Sequence, residues 1–155
     1  MATSLWLLRH GEAVPHGSKE DEERELTPRG AHESRTAGRA LARMNIEFDA
    51  CYTSPKVRAR QTAALACEEL GVEAHEVDVL GDGFERADAE DLLAGHRGGC
   101  VLVVGHEPSF SRVVHDFTGA RIDFPKGGVA GVRIKGSKAE LFALLRPAEL
   151  ETMAG

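Results

Sequence analysis

Cysteine is scarce in this 155-residue chain: Cys51, Cys67 and Cys100 form no CxxC pair, and one of the three must be left over. This excludes a disulfide framework and a zinc ribbon, and the thiols are expected to be reduced and packed. Long apolar runs are also missing. The continuous stretches, such as Leu5–Leu8 and Cys100–Val104, cover only a handful of residues, too few to span a membrane. The N-terminal MATSLWLLRH has no basic region ahead of its apolar run and lacks the length of a signal peptide. A surplus of positive charge is absent as well: 19 Lys+Arg stand against 25 Asp+Glu, a net charge of −6. That argues against a generic polyanion binder such as a DNA-coating protein. The expectation is a cytoplasmic protein with no membrane and no nucleic-acid partner.

What is present suits a globular domain. Residues are 42% hydrophobic, and the 28% that are charged are interspersed among the apolar runs. This is enough for a core without disulfides or metal, and the length fits one domain, residues 1–155. The charge is unevenly placed. Residues 19–25 sum to −3 and residues 82–91 to −4, leaving +1 for the rest of the chain. Acid-free basic runs occur at Lys56, Arg58 and Arg60, and again at Lys126, Arg133, Lys135 and Lys138. An acidic protein can still hold a basic pocket, and the two acidic stretches read as solvated loops.

The patterning alternates strand and helix. Leu5–Leu8 reads as a strand buried on both faces that stops at Arg9-His10-Gly11. After a polar loop over residues 12–26, Thr27-Pro28 reads as an N-cap and first helical residue, with Ala37, Leu41 and Met44 at helical spacing to about Met44. Phe48–Thr53 is short and apolar. Ser54-Pro55 reads as a second cap pair opening an Ala-rich helix to about Leu70, closed by Gly71. Residues 74–80 suggest a further strand, and the acidic stretch 82–91 leads into a short helix ending near Gly95. Cys100–Val104 is another apolar run, ending at Gly105-His106. From Pro108 a helix gathers Phe110, Val113, Val114 and Phe117 on one face and ends at Gly119. Val129–Ile134 and Glu140–Leu145 flank the turn-forming residues 135–138, as in an antiparallel hairpin. The pattern predicts an α/β sheet with helices on both faces, mixed because of the closing hairpin. Ligands bind such sheets at the carboxyl ends of strands, where Arg9-His10-Gly11 and Gly105-His106 fall.

Arg9, His10, Arg58 and His106 are the residue types that phosphoryl transfer without a metal needs. A neutral imidazole is a nucleophile able to form a covalent phospho intermediate that water resolves. Guanidinium groups hold tetrahedral oxyanions in bidentate fashion and stabilise charge on the transferring group. Arg58 falls in the first turn of its predicted helix, where the backbone already favours an anion. Gly11 and Gly105 are expected to leave backbone room close to a ligand.

Four stretches, in order, carry a family resemblance: Arg9-His10-Gly11-Glu12, Leu26-Thr27-Pro28-Arg29-Gly30, the run from Ser54 to Ala63, and Val104-Gly105-His106-Glu107-Pro108. Together they resemble the motifs of the histidine phosphatase (phosphoglycerate mutase-like) superfamily, over roughly Leu5 to Leu145. The compact length and the Gly-His-Glu-Pro stretch look most like the SixA-type phosphohistidine phosphatases. The resemblance implies a three-layer α/β/α sandwich with a central mostly parallel, mixed sheet. It also implies that His10 is the phosphorylated nucleophile, that Arg9, Arg58 and His106 complete the phosphate pocket with Gly11 beside it, and that no metal or cofactor takes part. The implied substrate is a phosphohistidine-containing protein of a phosphorelay.

The chain departs from mutases and acid phosphatases of that superfamily in its general acid. Those proteins carry a Glu after the Arg58-type helix, or an Asp directly after the second His. Here Glu107 and Pro108 follow His106, and Asp82, Glu85 and Asp88 form no recognisable acid motif. An imidazole leaving group needs a positioned acid less than an alkoxide does, which favours phosphohistidine over sugar phosphates. Two rivals stand beside this reading: a small-molecule phosphomonoesterase or mutase on the same scaffold, and a catalytically silent phosphoprotein-binding module. Arg29, Lys56 and Arg60 are read as solvated, Glu12 as loop-orienting, and Gln61 and Thr62 as makers of local hydrogen bonds. His16, His32, His75, His96 and His115 lack metal-ligand spacing.

Overall fold

The apolar run at the N-terminus becomes β1 (Thr3–Arg9), with Leu5, Leu7 and Leu8 fully buried. It lies inside a six-stranded sheet because both of its edges are paired. The remaining strands are β2 (Ala50–Thr53), β3 (Ala74–Glu76), β4 (Cys100–Gly105), β5 (Val129–Lys135) and β6 (Lys138–Leu145), in spatial order β3-β2-β4-β1-β5-β6. β1, β2, β3 and β4 run parallel, whereas β5 and β6 are antiparallel additions. The computed structural model describes residues 1–155.

Five helices cover the sheet: α1 (Pro28–Arg43), α2 (Val57–Leu70), α3 (Arg86–Leu93), α4 (Ser109–Thr118) and α5 (Pro147–Ala154). Alternation along the strands decides which helix meets which side chain. Leu5, Leu7, Val101 and Val103 pack with Phe110, Val113 and other residues of the α3 and α4 face, whereas Trp6, Leu8, Leu102 and Val104 pack under α1, α2 and α5. The result is the expected three-layer sandwich with a mixed sheet.

Thr27 caps α1 as predicted, its hydroxyl accepting from the Gly30 N–H at 3.1 Å with Pro28 in the first turn. Gly71 and Gly119 end α2 and α4 in the left-handed conformation. Other boundaries differ for identifiable reasons. α2 begins at Val57 rather than Pro55, because the Ser54 hydroxyl accepts from the Lys56 N–H, capping a turn instead of the helix. Of residues 74–80 only Ala74–Glu76 form a strand; a 3-10 turn at Asp78–Leu80 then buries Leu80 in the core. α3 starts within the acidic stretch, where the Asp88 carboxylate accepts from the Glu85 N–H at 2.9 Å. α4 starts at Ser109, just past Pro108, and the hairpin turn is only Gly136-Ser137. The C-terminal α5 is unforeseen by the pattern; it opens on Pro147 and buries Leu150 and Ala154 beside α1. No helix is long and apolar enough to cross a membrane.

Candidate active site

Strand register builds the site. Arg9 of β1 is opposite Gly105 of β4, so the residues that follow, His10 and His106, leave the sheet side by side. The His10 N–H donates to the Gly105 carbonyl at 3.1 Å, and the two imidazole centroids lie 5.2 Å apart. β2 ends against the same neighbour: Thr53 pairs with Val104, and the Ser54 N–H donates to the Val104 carbonyl at 3.0 Å. Three adjacent parallel strands thus deliver His10, His106 and Ser54 to one end of the sheet, the usual ligand position in this class of fold.

His10 is buried, with Nδ1 2.7 Å from the Gly11 carbonyl oxygen. A carbonyl only accepts, so Nδ1 carries the proton and Nε2 keeps the lone pair. Burial, assisted by His106, Arg58 and Arg9, pushes the His10 pKa down to about 3, leaving a neutral imidazole at ordinary pH. Burial likewise brings His106 to about 3, with Arg58 and Lys56 adding to the effect. The His106 Nε2 lies 2.8 Å from Ser54 Oγ. That oxygen also accepts from the Lys56 N–H, so Ser54 ties the His106 ring to the turn that carries Lys56.

The two arginines arrive from different elements, Arg9 from β1 and Arg58 from α2. Arg9 is anchored by a bond from Nη1 to the Phe124 carbonyl at 2.8 Å. Arg58, in the first turn of α2, donates through Nη1 to the Asp21 carbonyl at 2.7 Å and through Nη2 to Asp21 Oδ2 at 3.3 Å. Burial lowers the pKa of both guanidinium groups from the ordinary arginine value. Arg9 Nε, Arg58 Nε and His106 Nδ1 are buried without hydrogen-bond partners. Such orphaned groups cost free energy, and they concentrate where function requires them.

Sequence reasoning missed several residues. Lys56, read as solvated, is 8% exposed and binds Asp82 Oδ1 at 2.8 Å and Asp21 Oδ2 at 3.4 Å. Arg24 and Asp21 belong to an acidic stretch read as a solvated loop. Instead Arg24 is buried, binding Asp21 Oδ1 at 3.1 Å and the Val14 carbonyl at 2.9 Å. An arginine embedded in an acidic run was the available signal. Thr62 makes more than local bonds: its hydroxyl accepts from the Gly11 N–H at 3.1 Å and donates to the Arg58 carbonyl at 2.8 Å.

The two glycines are required by packing rather than by a ligand. A Cβ on Gly11 would stand 2.5 Å from the Gly30 carbonyl oxygen, and one on Gly105 would stand 2.8 Å from the Phe110 ring. Gly11 also turns its N–H to Thr62 and does not line the cleft.

The cleft itself, about 370 Å³, is walled by Arg9, His10, Lys56, Arg58 and His106, with Arg24, Arg112 and Lys126 around them. Its carboxylates are Asp82 and Glu107. Glu107 accepts from the Ser111 N–H at 2.8 Å and from the Ser111 hydroxyl, so it caps the start of α4, while Asp82 holds Lys56. Neither stands free as a proton donor.

A mixed-sheet sandwich that brings His10, His106 and Arg9 to its strand ends, with Arg58 from the first turn of α2 beside them, has the architecture of the phosphoglycerate mutase-like fold. The chain belongs to the histidine phosphatase superfamily (branch 1), whose profile matches residues 5–83. A relative from Picosynechococcus sp., an uncharacterized protein, is 31% identical over 159 residues, covering 92% of this chain and 96% of its own. A 2,3-bisphosphoglycerate-dependent phosphoglycerate mutase from Methylobacterium sp. is 53% identical over 47 residues, only 30% of this chain and 23% of the mutase. Among solved structures, the protein histidine phosphatase SixA complexed with tungstate superposes with a TM-score of 0.84 at 24% identity, covering 95% of this chain and 99% of SixA. That likeness establishes a shared fold.

Proposed function

We propose that the chain is a phosphohistidine phosphatase acting through a phosphorylated His10. The observation that carries this reading is the tautomer of His10: Nδ1 is committed to the Gly11 carbonyl, leaving a neutral Nε2 as the nucleophile among the cations of the cleft. Nε2 attacks phosphorus, the bond from phosphorus to the substrate imidazole nitrogen breaks, and that imidazole takes a proton. Water then attacks the phospho-His10, releasing orthophosphate and restoring the neutral ring. Arg9, Arg58 and His106 stabilise the transferring group, and their unpartnered nitrogens gain acceptors as the oxyanion seats. Because the charge on the transferring oxygens is met by guanidinium groups, no step needs a metal.

The leaving group favours phosphohistidine. An imidazole, with a pKa near 6.5 in water, accepts a proton from solvent at neutral pH, so the engagement of Glu107 and Asp82 elsewhere is no obstacle. An alkoxide would need the missing donor. Full-length structural likeness to SixA supports the same substrate class. A small phosphomonoester is the second reading, supported by the match to a phosphoglycerate mutase over its 47-residue segment.

Both readings meet in one experiment. Hydrolysis rates are measured on a panel of phosphohistidine proteins and small phosphomonoesters with chelator present, and the enzyme is quenched in alkali, where a phosphorus–nitrogen bond survives. The expected result is a higher specificity constant for phosphohistidine protein, and label trapped on the wild type but absent from His10→Ala. A preference for monoesters would overturn the substrate class; full activity of His10→Ala would end the mechanism.

A further inference from the structure

We infer that Asp21 is a positioning residue that weakens the grip of the cleft on phosphate and so speeds product release. The inference rests on the reading of the cleft as a phosphate pocket.

Asp21 opens a 3-10 turn at Asp21–Glu23, within the loop that follows β1. Its carboxylate binds three of the cations at the cleft: Arg58 Nη2 at 3.3 Å, Arg24 Nε at 3.1 Å and Lys56 Nζ at 3.4 Å. Its backbone carbonyl holds the other arm of Arg58 at 2.7 Å. Those cations are 5–8% exposed, whereas the Asp21 side chain is 43% exposed. The carboxylate therefore stands on the outer side of the cationic wall. Asp21 is not among the cleft-lining residues, although Arg24, Lys56 and Arg58 are. It thus acts on a bound anion through the cations and through its own charge.

Two opposite effects follow from one carboxylate. By bonding one arm of Arg58, while the Asp21 backbone carbonyl holds the other, it fixes the guanidinium before substrate arrives, which aids transfer. By neutralising part of a wall built from Arg24, Lys56 and Arg58, it lowers the attraction for every anion in the cleft, orthophosphate included. A hydrolase that resolves its intermediate to orthophosphate gains from the second effect, because a fully uncompensated wall would retain its product. Asp82 bonds only Lys56, from a position 83% exposed, and reaches Arg58 through its charge alone. Asp21 is the carboxylate that reaches all three cations.

Asp21→Asn separates the effects. The amide oxygen still accepts on one side, from Arg24 or from Arg58 and Lys56, and the backbone bond to Arg58 is untouched, so Arg58 stays anchored while the charge leaves. Binding of inorganic phosphate to the unreacted enzyme is measured by calorimetry for the wild type, Asp21→Asn and Asp21→Glu. Turnover is measured in parallel at saturating phosphohistidine protein. Asp21→Asn is expected to bind phosphate about tenfold tighter, equivalent to about 1.4 kcal/mol, and to turn over several-fold more slowly with stronger product inhibition. Asp21→Glu, which restores the charge, is expected to return both values toward wild type.

Unchanged or weaker phosphate binding by Asp21→Asn, including no binding by either protein, would overturn the proposal, because a purely structural role loosens the pocket instead of tightening it. Tighter binding without slower turnover would overturn the part concerning product release. Phosphate affinity is read without chemistry, so the test stands apart from the identity of the phosphoester and from the trapping of phospho-His10.

Discussion

The imidazole rings of His10 and His106 lie 5.2 Å apart at the ends of two adjacent parallel strands, both held near a pKa of about 3 chiefly by burial. Their neutrality is therefore a property of the fold. Neither ring is expected to titrate between pH 5 and 8 when followed by NMR. The linkage to stability has a definite sign. A histidine whose folded pKa is depressed binds its proton in the unfolded chain first, so stability is full above about 6.5 and falls as the pH drops toward 3. Each ring contributes up to roughly 1.4 kcal/mol per pH unit across that window. His10→Asn is expected to flatten the dependence of denaturation midpoint on pH; an unchanged slope would show that His10 is not held neutral by the fold.

Ser54 is the hinge between β2 and the cationic turn, accepting from the Lys56 N–H at 3.1 Å while facing His106 Nε2 at 2.8 Å. Ser54→Ala removes both bonds from a fully buried position and leaves His106 Nε2 without its partner. The expected cost is about 1–3 kcal/mol in stability and about tenfold in kcat/KM, carried mainly by kcat. Chemical denaturation and steady-state kinetics check the two effects separately. A loss of stability without a loss of rate would remove Ser54 from the catalytic arrangement.

The strands and the two strand-end histidines were legible because buried parallel strands are continuous apolar runs and because chemistry clusters where they stop. Arg9, His10, Arg58 and His106 do meet in one cleft. What escaped was long-range polar pairing. Ser54, an adequate helix cap by type, is recruited by a histidine 52 residues away. Asp21 and Lys56 carry charges that local composition assigns to solvent, yet they pair with each other across 35 residues, and Asp21 also holds the nearby Arg24. The closing helix escaped for a related reason: its short apolar face, Leu150 and Ala154, has meaning only against α1.

Gly11 and Gly30 hold the segment after His10 against the first turn of α1. A Cβ on Gly30 would stand 2.0 Å from the Glu12 carbonyl oxygen, and one on Gly11 2.5 Å from the Gly30 carbonyl oxygen. Both obstacles are backbone, so no side-chain rotation relieves them. Gly30→Ala is expected to cost about 2–3 kcal/mol of stability and to lower activity at temperatures where the protein remains folded, since the displaced segment carries the carbonyl that fixes the His10 tautomer. Thermal denaturation with activity assayed well below the midpoint distinguishes the two losses. A variant as stable as wild type would mean that α1 can retreat from the segment without consequence.

Arg58 tests whether shape or charge matters in the wall. Its guanidinium spans two acceptors on Asp21, the carbonyl through Nη1 and Oδ2 through Nη2, an arrangement that a single ammonium cannot reproduce. Arg58→Lys keeps the charge and loses the fork; Arg58→Ala loses both. The alanine variant is expected to lose about 3 kcal/mol of transition-state stabilisation, about a hundredfold in kcat/KM. If the planar fork positions the transferring group, the lysine variant falls most of the way with it, and kcat drops more than KM rises. If only positive potential is needed, lysine stays within about threefold of wild type, and the bidentate role of Arg58 is lost. The comparison is informative because Lys56 already supplies an ammonium group to the same cleft, so a second one adds charge without adding geometry.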